Sequence, residues 1–404
     1  MWREKTGECT TAGGCQPADE IGADDRANFM RASAARGSTK GARRQHPAWY
    51  VILAALAVLI VMSAPREPLQ SAVDLPPRAP SKLAIESELL HRGPVVPTPH
   101  LRSLAVHPVA GGRLLAAWVD FPGEAGQGGE VALARFDARQ WSVPRVVVRI
   151  EDLGRGAGQR FAALEGVTLH VDRSGFVHLF VASRVVGDLP WSNIDHLRSV
   201  DGGQTFSHVQ RLPLAPLLNG SHSVGAPAIN LRGGGFVLPV HYAWGSNYGV
   251  LLSFDAQGRL TQRSRLDGPP KLADPWPIVH SAKLVEFYMR EVSGEAKVWV
   301  GRLDRSEPTR PLNWRLGAPG LSALPSFDGT SWVARVSENA PEQLVLQRMN
   351  ALHQAANTLL VAKGSRAGVY SDPRLAQTDD GRIHLLYVDR GRAIGHRVYR
   401  ATGL

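Results

Sequence analysis

Cysteine is nearly missing from this chain: Cys9 and Cys15 are its two, and none follows residue 15. A disulfide-stapled fold is therefore excluded for the rest, and a core of this size does not need one. The C-x5-C spacing fits no zinc pattern. Helical periodicity is also lacking, which argues against bundles and α/β folds. There is no G-x-S-x-G, no Walker loop, no H-E-x-x-H and no dinucleotide fingerprint, so no cofactor is implied. Nucleic-acid motifs are absent and the basic residues are scattered, so no nucleic-acid partner is expected. His178, His222, His241, His280 and His384 mostly alternate within apolar runs. They read as packed or surface residues, and no metal site is expected.

What is present is turn-rich. Glycine (41) and proline (28) make about 17% of the chain, natural for many short strands joined by turns. The formal net charge is +10. Residues 1–47 hold eight Lys/Arg and six Asp/Glu, so the remainder carries +8. A basic folded domain suits an anionic partner, and a solvated basic surface accounts for the same charge.

One long uncharged run occurs, Ala48 to Ala64, with Trp49 and Tyr50 at its start and Arg43 and Arg44 just before it. Its 17 residues sit at the lower limit for a bilayer span. The aromatic pair and the basic flank predict a single-pass anchor over 48–64 with the N-terminus cytoplasmic. In a bacterium this is an inner-membrane protein whose large domain is periplasmic or extracellular. A cleaved signal peptide is the rival reading, opposed by Pro65 after Ser63-Ala64. Residues 1–47 read as a disordered tail. Residues 65–94, with PREPLQ and DLPPRAP, read as an extended spacer.

From residue 95 short apolar runs alternate with Gly, Asp and Asn turns. Examples are RLLAAWVDF (113–121), FVHLFVAS (176–183) and RIHLLYVD (382–389). Ser199-Val-Asp201-Gly-Gly203-Gln-Thr205-Phe206 is the sharpest turn signal. Its Ser and Asp can bond nearby backbone groups, glycine takes positive φ, and the aromatic packs between strands. Weaker echoes occur at Asp137, Asp255, Asp304 and Asn350. Repeats of about 45 to 65 residues indicate four-stranded propeller blades, and residues 95–404 make six of about 52. The predicted fold is all-β, a six-bladed β-propeller over 95–404 preceded by one transmembrane helix.

The Ser199–Phe206 segment resembles the Asp-box of sialidase-type propellers. His100-Leu-Arg-Ser-Leu104, GGRLLAAW, Glu124, Trp141-Ser-Val-Pro144 and the ending VYSDPRLAQTDDGRIHLLYVDRG are similar to bacterial sialidase-like BNR-repeat proteins. True sialidases are exo-glycosidases with an arginine triad, a tyrosine nucleophile and carboxylates. The resemblance implies Tyr370 as nucleophile, Glu124 as acid/base and Asp274 as the group activating the tyrosine. It implies Arg290 as a carboxylate-binding arginine, with His100 and Arg102 where the first arginine is expected. Each has a plainer reading: Tyr370 as a packed strand residue, Arg290 as a solvated strand end, Glu124 as a surface-loop carboxylate. No third arginine is convincing, since Arg348 and Arg335 fit poorly. Bidentate arginine pairing supplies much of sialic acid recognition, so the clamp is incomplete.

Two classes of function follow. The first is a membrane-anchored, sialidase-like glycosidase acting on acidic glycans or exopolysaccharide. The second is a non-catalytic glycan-binding or scaffold propeller. A uronate lyase with Tyr370 as acid/base is a third reading. Convergence of Tyr370, Glu124, Arg290 and His100 at one mouth favours an enzyme; dispersal favours a binding module.

Overall fold

The computed structural model describes residues 49–55, 72–80, 82–85, 91–92, 100–123, 126–187, 191–214, 221–243, 247–269, 271–292, 296–305, 308–318 and 320–401. The chain divides into two units at Leu56. In the first, residues 49–55 are helical. The predicted disordered tail and most of the predicted anchor lie outside the described residues. Among the described residues no helix is long and apolar enough to cross a membrane.

The second unit is a six-bladed β-propeller. Each blade is an antiparallel sheet; in blades 1 to 5 the strands run in chain order from the inside outward, and in blade 6 the outermost strand comes from the start of the fold. Blade 1 holds His100–Val109, Arg113–Phe121, Glu130–Phe136 and Arg145–Arg149; blade 2 spans Phe161–Val171 to Ser207–Arg211. Blade 3 spans His222–Ser223 to Leu260–Arg265, and blade 4 spans Leu272–Val279 to Arg310–Arg315. Blade 5 spans Leu321–Pro325 to Ala355–Lys363, and blade 6 begins with Tyr370–Gln377, Ile383–Asp389 and Ala393–Ala401.

Buried residues fall into six clusters, each shared by two adjacent blades: 1 and 2, 2 and 3, 3 and 4, 4 and 5, 5 and 6, and 6 and 1. Middle strands are thus covered on both faces. That is why Arg113–Phe121 is buried at every position after its first and lacks polar alternation. Outer strands are not covered, and Ala355–Lys363 is mostly exposed. One element departs from the all-β expectation. The helix Ile150–Ala157 joins blades 1 and 2, buries Ile150 and Leu153, and ends at Gly158 with φ 61°.

The segment read as a spacer from its prolines is part of the propeller. Val73 pairs with Leu231 in blade 3, and Ala79 with Ser326 in blade 5; both are fully buried. The Trp332 indole donates to the Pro80 carbonyl (2.8 Å), and Gln377 Nε2 to the Arg78 carbonyl (3.0 Å). Leu83–Ile85 and His91–Arg92 then pair with Ala393–Ala401 as the outer strand of blade 6. Among the described residues this proline-rich segment is bonded to the blades at Val73, Arg78, Ala79, Pro80, Leu83–Ile85 and His91–Arg92. Described residues from 72 onward, within the segment read as a spacer, thus already contact the blades.

The Asp-box has the expected geometry. It turns between the third and fourth strands of blade 2. Asp201 Oδ1 accepts from the Gln204 and Thr205 amides (2.7 and 2.9 Å), and its Oδ2 from the Thr205 hydroxyl (2.6 Å). The Gly203 amide donates to Ser199 Oγ (2.7 Å), with Gly203 at φ 88°. Phe206 packs against the cluster between blades 1 and 2. Asp137, Asp255 and Asn350 accept two backbone amides each at the same turn of blades 1, 3 and 5.

Candidate functional site

The six inner strands converge around the axis, and side chains lace them together. Ser103 Oγ accepts from the Val167 amide (2.8 Å), and Thr168 Oγ1 donates to the Ala226 carbonyl (2.9 Å). The Trp276 indole donates to the Ala323 carbonyl (3.2 Å), and Ser322 Oγ accepts from the Leu375 amide (2.7 Å). Arg374 Nε donates to the Leu104 carbonyl. These bonds join blades 1–2, 2–3, 4–5, 5–6 and 6–1 in turn and hold the inner strands at fixed spacing.

Near its start the inner strand is bulged in four blades. The pairing register slips between Arg102 and Ala105, Leu164 and Gly166, Ala273 and Trp276, and Ser371 and Arg374. At three of these bulges a non-glycine residue takes positive φ: Ser103 (53°), Asp274 (55°) and Asp372 (48°). Such a conformation costs of order 1–3 kcal/mol and collects at functional sites. A bulge also re-aims a side chain. Here all four bulges open on one cavity of about 460 Å³.

Among the described residues three carboxylates line that cavity: Glu165, Asp274 and Asp372. Three arginines join them: Arg102, Arg290 and Arg374. Arg290 places Nε (3.0 Å) and a terminal nitrogen (2.9 Å) on Asp274 Oδ2. Glu165 receives the Ser192 hydroxyl and lies 3.1 Å from Arg184 Nε. Arg374 is buried, lies over the Trp276 ring and reaches Asp372 Oδ1 at 3.4 Å. Burial pulls its guanidinium below the usual arginine range, opposed by Asp372 and Asp274. His241 lines the same wall between Ser223 Oγ (3.2 Å) and Asn247 Oδ1 (3.1 Å). Burial depresses its imidazole against the opposing pull of Asp274.

The sequence-predicted residues are only partly gathered. Asp274, Arg290 and Arg102 meet in the cavity. Tyr370 and His100 are not among its lining residues. Tyr370 belongs to the core between blades 5 and 6, edge-to-face with Tyr387 at 5.6 Å, and burial raises its phenol. Tyr370, expected as the nucleophile, thus packs in that core and is outside the lining of the cavity that holds Asp274 and Arg290. His100 pairs with Phe121 at the start of blade 1. Glu124 lies outside the described residues. Glu165, Asp372, Arg374 and His241 were missed as site residues. The D-P dipeptides at 274–275 and 372–373, each at a bulge, are the signal that was there to find. Among the described residues no group of three His, Cys, Asp or Glu is arranged to hold a metal ion.

A family profile described as a BNR repeat-like domain matches residues 112–385. Comparison with curated protein sequences gives no match. Solved structures share the fold at low identity. A protein of unknown function from Dyadobacter fermentans matches at 13% identity and TM-score 0.60, over 81% of this chain and all of its own. The NanB sialidase of Streptococcus pneumoniae matches at 11% and 0.57, over 82% and 71%. An α-L-arabinanase of Penicillium chrysogenum, complexed with arabinobiose, matches at 13% and 0.55, over 78% and 98%.

Proposed function

Since this chain belongs to the BNR repeat-like domain family, we propose that it is a glycan-active propeller with a glycosidase-like site in the bulge-lined cavity. The carrying observation is that inner-strand bulges bring Glu165, Asp274 and Asp372 to one cavity beside arginines. Glycoside hydrolysis needs an acid to protonate the leaving oxygen and a second carboxylate to attack or to activate water. The chemistry falls to these carboxylates, with Arg290 positioning Asp274. The similarity in fold to a sialidase and an arabinanase is consistent with a glycan ligand. Incubation of the purified chain with oligosaccharides, followed by product analysis, tests this reading. Glu165→Gln should lower turnover at least about 100-fold; release that is unchanged in Glu165→Gln, Asp274→Asn and Asp372→Asn would sink it.

A non-catalytic glycan-binding role is the second reading. It is favoured by Tyr370 and His100 lying outside the lining of the cavity that holds Arg290, and binding without product in the same incubation would select it.

We also propose that residues 48–64 anchor the chain in a membrane. Support comes from the uncharged run, its aromatic and basic flanks, and the helical residues 49–55. The full chain should then stay in the membrane pellet after alkaline carbonate; release into the supernatant would refute the anchor.

A further inference from the structure

We infer that the cavity selects an uncharged glycosyl unit rather than a carboxylate-bearing sugar. The inference rests on the glycan reading above and concerns the same site. Among the described residues three lining arginines face three lining carboxylates, so that part of the wall carries no net excess of positive charge. Two of the arginines are committed. Arg290 has two nitrogens on Asp274 Oδ2, and Arg374 is buried among the Leu104 and Pro373 carbonyls and Asp372. Arg102 is exposed and, among the described residues, has no carboxylate partner. A single exposed arginine in high dielectric contributes little to binding an anion.

A sugar carboxylate entering this cavity would have to displace Asp274 from Arg290. It would also approach Asp372 and Glu165, which repel it. A neutral sugar meets the opposite situation. Both Arg290 bonds fall on Asp274 Oδ2, which leaves Oδ1 to accept a sugar hydroxyl. The Asp274 side chain is half exposed at the mouth, within reach of a ligand. A hydroxyl donated to a carboxylate is a charge-assisted bond, among the stronger neutral-ligand contacts. The ion pair that obstructs an anion thus orients the acceptor for an uncharged unit. Relative to the sialidase-like expectation of an acidic glycan, the ligand class changes.

The test is calorimetric titration of the full chain, in detergent, with two probe sets. One set holds neutral arabino-, gluco-, galacto- and manno-oligosaccharides. The other holds sialyl- and glucuronosyl-oligosaccharides of matched length. At least one neutral probe should bind about tenfold more tightly than any carboxylated one. Asp274→Asn removes the competing charge, and asparagine tolerates the positive φ at this position. In that variant Arg290 is released, and carboxylated probes should gain about tenfold relative to neutral ones. Preference of the wild type for carboxylated probes overturns the inference and leaves the glycan reading standing. Binding of neither set overturns both. A normal melting temperature for Asp274→Asn with an unaltered preference overturns the assignment of selectivity to this ion pair.

Discussion

His178 Nδ1 stands 2.9 Å from His196 Nε2 inside blade 2, both rings buried. Blade 6 repeats the contact at 2.9 Å between His384 and His396, on the corresponding second and third strands. In blade 2 Asp172 caps the outer nitrogen of the pair, and in blade 6 Thr378 does so, each six residues before the first histidine.

Burial holds His196 down at about 3 and His107 at about 4, and depresses His170 and His178 as well. Unfolded histidines bind a proton near 6.5, so in acid the unfolded chain takes up more protons than the folded one. Stability contributed by these rings is present above about pH 6.5 and lost as the pH falls toward their folded values. Each fully depressed histidine adds a slope of up to about 1.4 kcal/mol per pH unit. Urea unfolding between pH 7.5 and 5 should show stability falling by at least about 1 kcal/mol per unit below 6.5; a flat profile would contradict the buried neutral rings.

Asp201→Ala should lower the melting temperature by about 2–4 °C while leaving glycan turnover intact. The carboxylate accepts the Gln204 and Thr205 amides at a turn between outer strands, away from the cavity. Hydrogen bonds from Ser199 and Thr205 hold it well below the usual carboxylate range. Lost activity with an unchanged melting temperature would assign the box a role in the site.

A chain starting at residue 70 should fold and melt cooperatively, whereas one starting at residue 95 should be markedly less stable or aggregate. The shorter chain loses the Ala79, Pro80 and Arg78 contacts and the outer strand of blade 6. That leaves the edge of Ala393–Ala401 open to pair with other chains. Equal melting temperatures for the two would show that the strap adds nothing.

Tyr370→Phe should leave turnover within about threefold of wild type, because its ring is packed against Tyr387 rather than lining the cavity. A loss of several orders of magnitude, with binding retained, would restore the tyrosine mechanism.

These contrasts follow what a sequence encodes locally. The Asp-box was legible because donors and acceptors lie within six residues, and blade count followed from its spacing. The strap was misread because its bonds are non-local: a proline-rich stretch looks alike whether solvated or laid across Leu231 and Ser326. Glu165 and Asp372 went unnoticed because a bulge breaks the two-residue alternation by which strand faces are read. Tyr370 matched a family pattern in sequence, whereas its edge-to-face contact with Tyr387 joins two strands of blade 6 and is not written in any local motif. Arg290 and Asp274 were singled out separately; that they answer each other across adjacent strands was visible only in the register of blade 4.

The outer strand of blade 6 also sets a timetable. Leu83 pairs with Ala401, its partner more than 300 positions later in the chain. At 5–20 residues per second, ribosomal synthesis separates the two by roughly 15–60 s. Blades 1 to 5 can each close on strands made within seconds of one another, but Leu83–Ile85 must wait for the last blade. Pairing of this outer strand therefore cannot precede synthesis of Ala393–Ala401, and until then Leu83–Ile85 has no strand partner.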